Sequence, residues 1–129
     1  MKAILVGSML ILGAPASAAS HGSRFVGDER QVATLAGVLG HRTLSVIASG
    51  DPSLGAGTQA DCELRAVEGR RSWHLIPFKS DTMSIDAANL EAVHFSLKPM
   101  GNRAFRIRTD FGDKLCAVGL SFSGIYRRR

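Results

Sequence analysis

The chain has 129 residues, 45% hydrophobic and 21% charged, and its 16 Lys and Arg against 11 Asp and Glu give a net charge of +5. That length suits one domain and is too short for two. The basic balance favours anionic partners, among them envelope polymers, acidic protein surfaces and nucleic acid, without selecting one.

Met1–Ser20 reads as an export signal. Lys2 supplies the positive start, Ala3–Ala14 the apolar stretch, and Ala16-Ser17-Ala18 the small-x-small pattern that a signal peptidase cuts behind. The apolar stretch falls short of the roughly 18 residues of a transmembrane helix, and no second one follows. Residues 1–18 are therefore predicted to be cleaved, leaving 19–129 as one exported domain, periplasmic or extracellular, with no transmembrane segment. Loss of Lys2 lowers the net charge to +4. The residue after the cut is Ala19 and not a cysteine, so no lipid anchor is expected there.

Ala19–Gly27 holds little to bury and reads as a flexible arm. Over Asp28–Gly40, Val32, Leu35, Ala36 and Leu39 recur at helical spacing, with Asp28 as N-cap and Gly40 at the C′ position, so a short helix is predicted. Leu44, Val46 and Ile47 suggest a strand, and Gly50–Gly57 is the clearest loop.

From Ala60 onward the period is two. Cys62, Leu64 and Ala66 alternate with polar residues, Glu68-Gly69 turns, and Trp73 and Leu75 follow. A two-residue turn there sets Leu64 opposite Trp73, Cys62 opposite Leu75 and His74 near Glu63. Ser80–Asn89 stays open between a strand at Met83 and Ile85 and a helical turn at Asp86–Asn89. Val93, Phe95 and Leu97, then Phe105 and Ile107, then Cys116, Val118 and Leu120 make three further apolar sets. Their loops oppose Leu97 to Phe105, Phe95 to Ile107 and Ile107 to Cys116, which puts all three sets on one face. Ser121–Tyr126 closes the chain as a last short strand or edge, with Phe122 and Tyr126 inward.

The predicted fold is thus mainly β: a small antiparallel sandwich or barrel with one disulfide and a short N-terminal helix, a β-rich α+β arrangement being the alternative. Cys62 and Cys116 are the only cysteines and both point inward, so in an oxidising compartment they pair. On the chain-entropy argument that bridge contributes about 4 kcal/mol. Metal ligation lacks any CxxC or HxxxH spacing, and no cofactor is predicted.

The register turns His94, Ser96, Lys98, Arg106 and Arg108 outward as a positive strip. His94, Lys98, Arg106 and Arg108 are its candidate binding residues, because guanidinium groups pair bidentately with carboxylate and phosphate. A solvated face that keeps sheet edges from pairing is the plainer reading of the same residues. The strip carries no exposed aromatic for base stacking, which weighs against nucleic acid.

Catalytic patterns are scarce. His21, His41, His74 and His94 are scattered, none beside a GxSxG motif. Asp110-Phe111-Gly112 spells the kinase metal-binding tripeptide without the rest of a kinase and reads as a turn. Gly50–Gly57 has no phosphate-loop spacing. A non-enzymatic module that binds an exported protein through its exposed loops at Gly50–Gln59 and Pro99–Asn102 is expected, either an inhibitor of an exported hydrolase or an envelope accessory factor. A binder of anionic envelope polymer or glycan through Lys98, Arg106, Arg108 and the terminal Arg127-Arg128-Arg129 is the alternative, with a small secreted hydrolase behind both. Cys62-Glu63-Leu64-Arg65 followed by Trp73-His74-Leu75 resembles the cysteine-strand and tryptophan-strand pattern of the small periplasmic β-barrel inhibitors of alkaline metalloproteases, over about a dozen residues. Those inhibitors have a close-set disulfide early in the chain and a tryptophan before its first cysteine, both lacking here, so the likeness implies an inhibitor class and no site residues.

Overall fold

A computed structural model describes residues 22–49, 61–116 and 120–129. The elements are β1 (Ser23–Val26), β2 (Gln31–Ala36), β3 (Thr43–Ala48), β4 (Cys62–Glu68), β5 (Trp73–Leu75), β6 (Phe78–Lys79), β7 (Ser84–Ile85), α1 (Ala87–Leu90), β8 (Phe95–Pro99), β9 (Ala104–Thr109), α2 (Phe111–Leu115) and β10 (Gly124–Arg128). Eight of the strands form one antiparallel sheet in the order β5-β4-β3-β2-β1-β10-β9-β8. It curls until its two edges, β5 and β8, pack against one another, making a nearly closed barrel. Both edges resist further pairing: β5 has three residues, and β8 ends in Lys98-Pro99.

The interior follows from alternation. Leu44, Val46 and Ala48 of β3, Cys62, Leu64 and Ala66 of β4, and Phe105 and Ile107 of β9 are buried, each at 4% exposure or less. Their neighbours in sequence face out, as the pleat demands. Among the described residues no helix is long and apolar enough to cross a membrane.

The barrel has two unlike ends. At the base, the small β6–β7 hairpin, α1, α2 and residues 120–123 cover the opening. Ile85, Phe111, Leu120 and Phe122 are buried there, and the Phe111 and Phe122 rings meet edge to face at 5.3 Å. Gly112 passes so close to Leu120 that a Cβ on it would collide with that residue's carbonyl oxygen. Buried Gln31 ties the base to the wall, donating from Nε2 to the Ser121 carbonyl at 3.0 Å and accepting from the Glu29 amide at 2.7 Å. The Cys62–Cys116 disulfide closes this end, with a Cα–Cα distance of 5.9 Å across 54 positions of sequence. At the other end, the mouth, lie the β2–β3, β4–β5 and β8–β9 turns, the start of β1 and the end of β10.

Several expectations are corrected. Ser23–Val26 of the predicted arm is a strand that pairs with β2 on one side and β10 on the other, joining the two halves of the barrel. The predicted helix over 28–40 is instead a turn at Asp28–Arg30, with Arg30 in the left-handed region at φ 64°, then strand β2 and a second turn. Gln31, Ala33 and Leu35 face in, and a glutamine at one of those positions hides the alternation. Of the third apolar set, Cys116 is the C-cap of the helix Phe111–Leu115 and Leu120 packs in the base, so neither of these two lies in a strand. β10 takes its place beside β9, so the last strand is no edge.

Two hairpins are displaced in register without changing faces. Glu68 pairs with Trp73 and Ala66 with Leu75, because the turn centres on Arg70-Arg71 and is closed by the Gly69 amide on the Ser72 carbonyl at 2.8 Å. Leu97 pairs with Ile107, and Phe95 with Thr109. Each displacement is even, so every inward residue stays inward. Ser80–Asn89 resolves into β7 and a capped turn of helix, where Asp86 Oδ1 accepts from the Asn89 amide at 3.0 Å. Gly50–Gln59 and Val118 lie outside the described residues.

Candidate functional site

The outer face of β8 and β9 carries the predicted strip in a tighter form than expected. Lys98 lies directly opposite Arg106, and Ser96 opposite Arg108. The four side chains line a shallow groove of 180 Å³. Among the described residues no carboxylate is within ion-pair distance of Lys98, Arg106 or Arg108.

His94 lies at the base end of the strip, where it lines a second groove with Ser96 and Arg108, and it is tied to a carboxylate. Its amide donates to Asp110 Oδ1 at 2.8 Å, and its Nδ1 lies 3.4 Å from Oδ2. Lys114 Nζ reaches the same Oδ2 at 3.2 Å. The His94 amide, helped by Lys114, holds the Asp110 carboxyl at about 2 against an ordinary 3.8. His94 therefore belongs to the polar collar of the base and Arg106 to the mouth side of the wall. The pairing of His74 with Glu63 is also replaced: His74 lies opposite Val67, while Glu63 accepts from Ser45 Oγ at 2.9 Å and Arg65 Nε at 2.6 Å.

A second surface is the mouth, of which sequence reasoning singled out the Pro99–Asn102 loop and the terminal arginines but not their meeting with Arg42 and Trp73. An opening of 260 Å³ is lined by Phe25, Leu35, Trp73, Leu97, Pro99 and Phe105, with Arg42 and Arg128 among its polar groups. Arg42 and Glu68 make a two-pronged ion pair, Nε to Oε1 at 2.8 Å and Nη2 to Oε2 at 2.9 Å. Glu68 Oε1 also accepts from the Gly40 amide at 2.9 Å, and the Arg42 guanidinium lies 5.7 Å from the centre of the Trp73 ring. One carboxylate thereby pins the β2–β3 turn to the end of β4. Gly37 enters that turn at φ 100°, with the His41 carbonyl oxygen 3.1 Å from where a Cβ would stand, a place suited to glycine.

The Arg42 guanidinium draws the Glu68 carboxyl from 4.5 down to about 2. A carboxyl lowered on folding contributes its full stabilisation above 4.5 and loses it as the pH falls toward 2. Glu68→Gln is expected to cost about 1.5–3 kcal/mol at neutral pH. The difference from wild type should shrink between pH 4.5 and pH 2, read from thermal melts at stepped pH; a constant difference would show that the ion pair is idle.

Charge and apolar exposure are concentrated at this end. Val38, Leu39 and Met100, exposed at 56%, 80% and 44%, project from the β2–β3 and β8–β9 turns. Arg70, Arg71 and Arg103 stand in the turns beside them, all exposed. Glu68 is the only described carboxylate on the mouth, and Arg42 neutralises it. Asp28, Glu29, Asp61, Asp110 and Asp113 lie at the base. Besides the Pro99–Asn102 loop, the terminal arginines gave a sequence signal for this surface: Tyr126 is inward, so Arg128, two residues on, faces the mouth. Among the described residues no group of three or more His, Cys, Asp or Glu is placed to hold a metal ion. No protein family, curated protein or solved structure matches this chain.

Proposed function

We propose that the mature chain is an exported, non-enzymatic binding module that docks an acidic protein on the mouth of its barrel. The observation that carries this reading is the segregation of groups: three exposed apolar side chains interleaved with arginines on one rim, and most carboxylates elsewhere. Protein interfaces combine an apolar centre with a polar rim and favour arginine and methionine. A disulfide-tied barrel supplies the rigid base from which loops bind with little ordering cost. Inhibition of an exported hydrolase is the specific form that suits such a rim, and the disulfide accords with an oxidising compartment.

A second reading has its own observation: Lys98, Arg106 and Arg108 face solvent together, as a track for anionic polymer would. The two separate by salt and by variant. Mature oxidised protein is immobilised and an exported-protein fraction is passed over it at low and high salt. Val38→Ser with Leu39→Ser should abolish retention of a protein partner and of its hydrolase activity, whereas Lys98→Glu, Arg106→Glu and Arg108→Glu together should weaken it only modestly. The reverse pattern, with retained polyanion and a log–log salt slope that drops by about 1 for each cation reversed, would replace the first reading with the second.

A further inference from the structure

The opening at the mouth is a chemical site as well as a gap between loops. One wall is apolar, built on the rings of Phe25, Trp73 and Phe105 with Leu35 and Leu97, the rest of the lining is polar, and no carboxylate lines it. Its volume is 260 Å³. A dry apolar cavity of about 150 Å³ is enough to take up benzene, so one aromatic ring or a short alkyl chain fits with its head group at the rim. Mouths of β-barrels are among the places where small ligands settle.

The head group is selected by two arginines of unlike standing. Arg42 is held by Glu68 in a paired, neutralised arrangement. Arg128 donates from Nη2 to Ser23 Oγ at 3.1 Å, a neutral partner, and among the described residues no carboxylate reaches it. The cavity therefore combines an apolar wall with one uncompensated guanidinium at its lip. We infer that the barrel mouth binds a compact apolar carboxylate, its alkyl or aryl body against Trp73 and Phe105 and its carboxylate on Arg128. This goes beyond partner docking: it assigns a small-molecule site inside the rim, and either can fail without the other.

Trp73 is the only tryptophan and lines the opening, so the tryptophan emission reports its surroundings there. Oxidised mature protein is titrated with octanoate, octan-1-ol and acetate. Octanoate should shift the emission saturably below its micelle concentration. Octan-1-ol, equal in chain length but uncharged, should bind about tenfold more weakly or worse, the worth of one charge-assisted hydrogen bond. Acetate, with no body to bury, should do nothing. Arg128→Gln should bring octanoate down to the level of octan-1-ol, and Leu35→Phe, which fills the cavity, should weaken both, each variant first being shown to melt cooperatively. Amide resonances of Gly37, Gly101 and Asn102 should move on binding. An unsaturable octanoate response, equal affinity for octanoate and octan-1-ol, or shifts confined to Ser96 and Arg108 on the outer wall would each overturn the assignment, and the first two need no variant to fold.

Discussion

Phe105→Ala should lower the unfolding free energy by about 3–5 kcal/mol, the range for removing a buried aromatic from a well-packed core. Phe105 is 3% exposed and lies between two other rings, Phe25 at 4.8 Å and Tyr126 at 5.3 Å, the latter nearly parallel. Those rings belong to β9, β1 and β10, the three adjacent strands through which the two halves of the barrel are joined. Truncation leaves a void that cannot collapse readily, because Tyr126 is itself fixed by donating its hydroxyl to the Phe122 carbonyl at 2.7 Å. Burial also pushes that hydroxyl's pKa upward, so it remains a donor through the ordinary pH range. Urea unfolding measures the loss, and Ser96→Ala on the outer face of the same hairpin is the control, expected within about 0.5 kcal/mol of wild type. A change for Phe105→Ala no larger than the control's would mean that the ring stack does not hold the two halves together.

The parts of the fold that were legible share one property: their outward residues are polar. In β4, Glu63 and Arg65 separate Cys62, Leu64 and Ala66, and in β9, Arg106 and Arg108 flank Ile107, so the period of two shows plainly. The positive strip could be read for the same reason. Even where the turns were misplaced, as at Arg70-Arg71, the error moved pairs by an even number and left the faces intact. β2 was illegible because its pattern is inverted at its start: Gln31 is buried while Val32 faces away from the core, and the apolar residues fall by chance at helical spacing. β1 offers one inward aromatic in four residues, and only its two neighbours make it a strand. After α2, Cys116 and Leu120 suggested alternation, whereas Cys116 caps a five-residue helix under the barrel and Leu120 is placed by packing in the base. The mouth could not be read as one surface: the Pro99–Asn102 loop and the terminal arginines were legible separately, but Arg42, Trp73 and Arg128 come together only when the curled sheet closes.

Replacing Cys62 and Cys116 together by alanine is expected to cost about 2–5 kcal/mol, chiefly by releasing a constraint on the unfolded chain. The bridge joins the first residue of β4 to the C-cap of α2, so it ties the wall of the barrel to the helix that covers its base. A chain of this size buries a modest share of its surface, and a loss of that magnitude takes a large part of a typical domain's net stability. In urea the midpoint should fall by about 1–3 M. The location of the bridge adds a sharper expectation. Trp73 stands at the mouth, held by β4 and by the guanidinium of Arg42, at the opposite end from the sulfurs. Its emission in the folded variant should therefore match that of wild type while the midpoint drops. An unchanged midpoint would show the bridge to be idle; an altered native emission would show that it shapes the mouth, making the ligand site and the docking rim sensitive to reduction.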